Sequence, residues 1–382
     1  MRKNFTGRDG RVVCAVRTAR TVQNLPRRAT ARDGKGADFT RKHRAPAPGQ
    51  NPPPVERRLC VAPMMERTDR HFRRLLRFIT GRALLYTEMV PAGAMLHGDR
   101  GRMLGFDPAE KPLALQVGGS DPEELRRCAL LAREWNYDEI NLNLGCPSAR
   151  VRSGGFGACL MAEPARVADC VAAMAAGGLP VTVKIRTGIG GEGSEGEGAR
   201  RHLDEFVAQV AAAGCRCFIV HARKAVLGGL SPRANRNVPP LEYARVYQLK
   251  RDFPRLQIII NGGIVDSAGA ARHLGQVDGV MIGREACRRP LWLGQLQKEI
   301  FGEPPTITDV DTLLDCYAPY MEKKLREGAR LRQFTRHLAA LFHGRPGAAQ
   351  WRRALGGAGE GGMETVRKAR RAMALAEARR AA

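Results

Sequence analysis

Between residues 59 and 301 the chain alternates short apolar runs with stretches whose apolar positions recur at helical spacing. Eight runs are predicted strands: 59–62, 84–89, 113–117, 139–144, 181–185, 217–221, 258–261 and 279–282. They are continuous in Val, Ile and Leu with little alternation, which suits parallel strands covered on both faces. Helices are predicted over 69–79, 120–135, 164–176, 200–213, 241–253 and 266–274. The second is expected to open on a capping box, Ser120-Asp-Pro-Glu123, with proline in its first turn. Eight β-then-α units within 59–301 match the usual size of a (β/α)8 TIM barrel. A doubly wound sheet is the rival, but it rarely needs eight regular units. After Pro304-Pro305 the strand pattern stops, and 306–382 reads as a C-terminal α-helical domain, with helices at 309–327, 331–342, 348–355 and 363–381.

Composition adds limits. At 382 residues and 43% hydrophobic the chain buries a sizeable core, so wholesale disorder is excluded. No stretch approaches the ~20 apolar residues of a membrane helix. Ten cysteines are scattered without a single CxxC, which points to a reducing compartment, the cytoplasm, and to no zinc or other metal site. The net charge is +25. Residues 1–58 hold 15 Lys and Arg against 4 Asp and Glu, a balance of +11 that leaves +14 for 59–382. That segment has few large apolar residues and ends in a proline cluster, so it reads as a disordered basic extension or a start codon placed too early. A targeting peptide fits less well, because Asp9, Asp33 and Asp38 interrupt it. A charge excess of this size favours a polyanionic partner, nucleic acid before membrane. The Gly/Glu segment 191–198 is expected to be a mobile loop.

In a barrel of this kind the site lies at the C-terminal ends of the strands. Those ends carry Pro63-Met64-Met65, Glu88, Gln116, Asn141, Asn143 with Cys146, Lys184, His221 with Arg223, Asn261-Gly262-Gly263 and Gly283-Arg284. Convergence of polar groups at nearly every strand end is harder to explain by structure than any one of them. The glycine turns after strands seven and eight occupy the usual barrel phosphate position, where backbone N–H groups approach an anion and Arg284 adds a charge-assisted bond. Lys184 closes a buried strand, a costly place for a cation unless an anion meets it; beside a flavin it would stabilise the anionic ring. His221 taken alone is as well explained by a hydrogen-bonded core histidine. Gln116 can hydrogen-bond a ring edge. Cys146 sits in a Gly-Cys-Pro turn that holds its thiol on a loop at the mouth, fit to act as nucleophile or general acid. Cys159 is the internal competitor.

With these motifs in place, the chain resembles the tRNA-dihydrouridine synthases, most closely the A-type. The likeness covers roughly 59–356. It is carried by VAPMMERTDRHFR (61–73), YDEINLNLGCPS (137–148), PVTVKIRTGI (180–189), FIVHARKA (218–225), INGGI (260–264) and DGVMIGREA (278–286). More specific to the A-type are LSPRANRNVPPLEY (230–243) and TRHLAALFHGRPGAAQWRRAL (335–355). The resemblance implies an FMN-binding barrel over 59–301 and a helical tRNA-binding domain over 306–382. It implies reduction of the C5=C6 bond of D-loop uridines, at positions 20 and 20a. The chain is expected to be a monomer.

 The resemblance further implies that NADPH, or NADH in its place, reduces the flavin, whose nitrogen 5 passes a hydride to carbon 6 while a cysteine protonates carbon 5. By motif that cysteine is Cys146. A thiol with an unperturbed pKa of about 8.5 is mostly protonated at neutral pH, as the role requires. FMN contacts carry onto Pro63, Met64, Met65, Gln116, Lys184, His221, Asn261, Gly262, Gly263, Gly283 and Arg284. Asn143 would help hold the uracil, and Lys224, Arg233, Arg236, Arg336, Arg352 and Arg353 would face the RNA.

Two other readings compete. A small-molecule FMN reductase on the same barrel, acting on a pyrimidine or enoate, explains the flavin residues but not the basic helices. A non-catalytic RNA-binding protein explains the charge but needs neither Cys146 nor a flavin constellation. Aromatic residues are only 5% of the chain, so recognition by shape and phosphate is expected rather than by extended base stacking.

Overall fold

The computed structural model of the chain describes residues 55–190, 197–356 and 362–381. Nearly all of the basic N-terminal segment and most of the Gly/Glu segment 191–198 lie outside the described residues. Eight parallel strands make the frame: β1 (Leu59–Val61), β2 (Leu84–Tyr86), β3 (Leu113–Gly118), β4 (Glu139–Asn143), β5 (Val181–Arg186), β6 (Cys217–His221), β7 (Gln257–Asn261) and β8 (Gly279–Ile282). Each pairs with the next in chain order, and β8 returns to β1, with Leu59 opposite Val280, so the sheet closes into the expected barrel. Two-residue strands that are too short to leave a periodic signal add to its upper rim. Val90–Pro91 extends the sheet beside β3, and Ile189–Gly190 pairs with Ala225–Val226 above β5 and β6.

The longer helices are α1 (Arg70–Ile79), α2 (Pro122–Glu134), α3 (Pro164–Ala175), α4 (Glu197–Ala212), α5 (Tyr243–Asp252), α6 (Ser267–Leu274) and α7 (Trp292–Phe301). The cap of α2 is one residue later than expected. Asp121, not Ser120, accepts the N–H of Glu124 at 2.8 Å, and Ser120 instead accepts from Arg166. A carboxylate is a better partner than a hydroxyl for the orphan N–H groups of a first turn.

Side chains alternate across the barrel wall more than the apolar runs suggest. Ile140, Leu142, Val183 and Ile185 face the helices, whereas Cys60, Leu84, Tyr86, Ala114, Ile219, Ile259 and Met281 form a second apolar cluster inside the barrel. On most strands both faces are apolar, which hides the alternation. On β4 and β5 the inner face is polar: Glu139, Asn141 and Asn143 on one, Thr182, Lys184 and Arg186 on the other. Arg57, grouped by composition with the basic N-terminal segment, is buried at the barrel floor and bonds Glu139 at 2.7 Å.

Four further helices follow: α8 (Val310–Arg326), α9 (Arg332–Leu338), α10 (Ala348–Gly356) and α11 (Gly362–Ala381). They dock on α1 through Tyr317, Tyr320 and Phe334. The Tyr317 hydroxyl donates to the His71 carbonyl at 2.9 Å, and the His71 ring lies 3.0 Å from the Tyr320 hydroxyl. Trp351 is fully buried and donates to the Leu338 carbonyl at 2.9 Å, which pins α10 to the end of α9. Part of the basic character of α11 is neutralised within the fold, since Arg370 pairs with Asp311 and Asp315 and Arg367 with Glu322.

Asp69 joins the barrel to these helices. Its carboxylate caps α1 by accepting from the Phe72 N–H at 2.8 Å, and it also bonds His337 and Arg336 on α9. Burial would raise its pKa, but His337, the cap and Arg336 outweigh burial and hold it well below the usual carboxylate range. Such a group stabilises the fold at any pH above its unfolded value of ~3.9, and the contribution fades as pH falls further toward the folded value. Replacing Asp69→Ala should lower the unfolding free energy by about 3 kcal/mol at pH 7, the sum of a lost cap and charge-assisted bonds. The deficit should shrink below about pH 4. Urea unfolding of parent and variant across that range measures both.

Candidate active site

The predicted strand-end residues meet at the mouth of the barrel. After β4, Asn143 turns its carboxamide oxygen onto the following loop and accepts the N–H groups of Gly145 at 3.3 Å and Cys146 at 3.1 Å. Its amide nitrogen donates to the Gln116 oxygen at 2.8 Å, and the Gln116 nitrogen donates to Asn141 at 2.7 Å. The Cys146 thiol is half-buried and lies 3.5 Å from the Ser148 hydroxyl, which caps the short helix Ala149–Ser153. Cys159 is also half-buried, but its thiol donates to the Phe156 carbonyl within its own turn.

Cations gather beside Cys146. Lys184 donates to the Asn261 carboxamide oxygen at 3.0 Å. Burial pushes the Lys184 ammonium down to about 7, and the charge of Arg186 adds to the shift. Burial likewise lowers Arg186, to about 10. His221 is held well below the usual imidazole range by burial and then by Arg186, Lys184, Arg223 and Arg284. The charges acting most strongly on Lys184, Arg186 and His221 are other cations and the Cys146 thiol, with no carboxylate among them. The Arg223 Nε is buried without a hydrogen-bond partner. A half-enclosed cluster of positive charge with donors to spare fits an anionic ligand.

The phosphate-type turns are close-fitting. Gly262 has φ 111° and Gly263 φ 69°, and a Cβ on Gly262 would stand 2.6 Å from the His221 ring. The Tyr243 hydroxyl donates to the Gly262 carbonyl at 2.9 Å. Arg284 is exposed and donates to the Asn237 side chain at 2.6 Å, so it ties the β8 turn to the loop after β6. Pro63 and Met64 are half-buried after β1, and Met65 is exposed.

Arg186 was not singled out by sequence, yet it organises the rim. Its Nε donates to the Gly145 carbonyl at 3.0 Å, directly before Cys146, and its Nη1 donates to the Asn235 carbonyl at 3.0 Å. Asn235 is fully buried and exchanges hydrogen bonds with the backbone of Val226, which presents Arg233 and Arg236 on an exposed loop. The i, i+2 spacing of Lys184 and Arg186 on one strand was the available signal. Lys224 is half-buried and faces Glu242 at 3.8 Å. Arg336 and Arg352, with Arg67, line a cavity of about 400 Å³ between the β1 turn and the C-terminal helices. Arg353 is exposed on α10 and is not part of that lining.

A family model described as dihydrouridine synthase matches residues 60–374. A tRNA-dihydrouridine(20/20a) synthase of Synechocystis sp. is 53% identical over 298 residues, covering 78% of this chain and 88% of that protein. Its counterpart from Shewanella oneidensis is 51% identical over 302 residues, covering 79% and 88%. A solved structure, a variant of NCR from Zymomonas mobilis, aligns at a TM-score of 0.42 with 14% identity, over 67% of this chain and 90% of that one.

The close approach at Gly262 gives a test of the mouth geometry. Gly262→Ala should displace His221, because the added carbon cannot share its space and the backbone angle is unfavourable for any side chain with a Cβ. A crystal structure of the variant should show the imidazole moved from its β6 position, with a lower urea midpoint.

Proposed function

The chain belongs to the dihydrouridine synthase family, and from that premise we propose that it reduces the C5=C6 bond of uridines 20 and 20a in the D-loop of tRNA. The observation that carries this reading is the cluster of Lys184, Arg186 and His221 beside a loop-held thiol, bordered by an exposed arginine loop. We assign 59–301 as the catalytic barrel and 306–382 as the tRNA-binding helical domain, working as a monomer in the cytoplasm. No helix among the described residues is long and apolar enough to cross a membrane.

The cofactor in this reading is FMN, with NADPH, or NADH, as reductant. Lys184, His221, Asn261–Gly263, Gly283 and Arg284 would hold it, with Gln116 and Pro63–Met65 against its ring. Bound FMN supplies two-electron chemistry toward carbon 6 of the uracil. The protein's own part is proton delivery and positioning. Cys146 gives its thiol proton to carbon 5, and the thiolate left behind faces Lys184, Arg186 and Arg236, all close enough to interact with it electrostatically. Asn143 keeps one amide hydrogen free to donate to a uracil carbonyl, because its oxygen is occupied by the Cys146 loop.

A uridine inside folded tRNA must be extruded to reach this pocket, which calls for contacts on both sides of it. Arg233 and Arg236 supply one side. Arg336, Arg352 and Arg353 supply the other, and Lys224, already facing Glu242, contributes least. Binding of this kind weakens steeply with salt.

Nucleoside mass mapping of tRNA incubated with the protein, FMN and NADPH should show two added hydrogens at D-loop uridines only. Cys146→Ala should lower that yield by roughly 10²–10⁴-fold while keeping tRNA affinity. NADPH consumption without any change in the tRNA would contradict the reading and favour a small-molecule reductase.

The Lys184 shift gives a pH test with a definite sign. In the free protein the ammonium loses its proton above about pH 7. An anionic cofactor needs the charged form, so FMN affinity should fall from pH 7 to 9, by up to about tenfold per unit. Lys184→Met should bind FMN more weakly at pH 6.5 and show no such slope. Fluorescence titration of free FMN measures both.

A further inference from the structure

One chain of hydrogen bonds runs from the floor of the barrel to the Cys146 loop. Glu139 is fully buried, and its Oε2 accepts from Arg57 Nε at 2.7 Å. Its Oε1 accepts from the Tyr86 hydroxyl and the Thr182 hydroxyl, each at 2.6 Å. Thr182 Oγ1 in turn accepts from Asn141 Nδ2 at 2.8 Å. Asn141 Oδ1 accepts from Gln116 Nε2 at 2.7 Å, and Gln116 Oε1 accepts from Asn143 Nδ2 at 2.8 Å. Asn143 Oδ1 then receives the N–H groups of Gly145 and Cys146. Strand register makes the ladder possible, since Gln116 lies opposite Asn141 and Asn141 opposite Thr182.

A carboxamide placed between two partners can adopt either of two orientations, and its network chooses. Here the choice is made at the bottom. A carboxylate paired with an arginine is an acceptor only, so Thr182 must donate downward to it. The Thr182 oxygen is then the acceptor for Asn141, and the same direction passes to Gln116 and Asn143. We propose that Glu139 and Thr182 are positioning residues that act through this ladder. The buried charge fixes Asn143 with its oxygen on the Cys146 loop and a free N–H toward the mouth, ready for a carbonyl oxygen of the bound ring. This deepens the functional reading above, and its structural half stands without it.

Thr182→Val tests the proposal. Valine keeps the branched shape but has no hydroxyl, while Glu139 retains Arg57 and Tyr86 as partners, so the barrel floor remains satisfied. Thr182→Ser keeps the hydroxyl and serves as the rescue. The first readout is hydrogen exchange of the Asn141, Gln116 and Asn143 side-chain amides by NMR in the full-length, flavin-free protein. In Thr182→Val exchange should rise on the order of tenfold at all three, including Asn143, which does not touch residue 182, and Thr182→Ser should restore it. The second readout is dihydrouridine formation, whose kcat should fall on the order of tenfold in Thr182→Val with tRNA affinity unchanged. Unaltered exchange at Asn143 in Thr182→Val, or no rescue by Thr182→Ser, would overturn the proposal. If the parent protein forms no dihydrouridine, the functional reading fails, and the exchange data still decide the ladder.

Discussion

Glu139 has no solvent exposure, and an unpaired carboxylate in that position would cost several kcal/mol. The barrel answers the charge from two strands and the segment before β1, through Tyr86, Thr182 and Arg57. That constraint shapes the interior. It draws Arg57 inward ahead of β1 and places polar residues at alternate positions of β4 and β5, beside an apolar cluster supplied by the other strands. Above this buried ion pair lies a mouth crowded with cations. The two tiers are linked by neutral carboxamides, which carry hydrogen-bond direction without adding charge.

The mouth follows a second rule. Lys184, Arg186 and His221 are brought together although Arg186 weakens the charging of the other two and Lys184 that of His221. A cluster of this kind is an unfavourable arrangement for the protein alone and becomes favourable when an anion enters. Arg186 also ties the Cys146 loop to the loop that carries Arg233 and Arg236, so the thiol and these exposed arginines share one anchor. On the far side, Asp69 joins the first helix to α9, next to the cavity lined by Arg67, Arg336 and Arg352. Barrel and C-terminal helices are therefore coupled through specific side chains.

Much of this was legible in the sequence. Eight apolar runs and the helices between them reveal the barrel, because parallel strands buried on both faces leave a continuous signal. The strand-end residues and Cys146 stand out because polar groups interrupt those runs. The ladder was harder to see. The alternation in Glu139-Ile-Asn-Leu-Asn and in Val181-Thr-Val-Lys-Ile-Arg marks an inner polar face, but register between strands distant in sequence decides which side chains meet. Arg186 and Asn235 were missed for a related reason, since their partners are backbone carbonyls or N–H groups of other loops. The pairing of Lys224 with Glu242 and of Arg336 with Asp69 shows that a basic residue in a motif need not be free for RNA.

The proposed function requires a flavin held at this mouth to pass its electrons to tRNA. Its most direct measurement is an anaerobic single turnover. The FMN-loaded protein is bleached with one equivalent of NADPH, unmodified tRNA is added, and the visible flavin band is followed. Recovery of the band with one dihydrouridine formed per flavin is the result expected. A band that stays bleached with tRNA present, and recovers only in air, would contradict the claim.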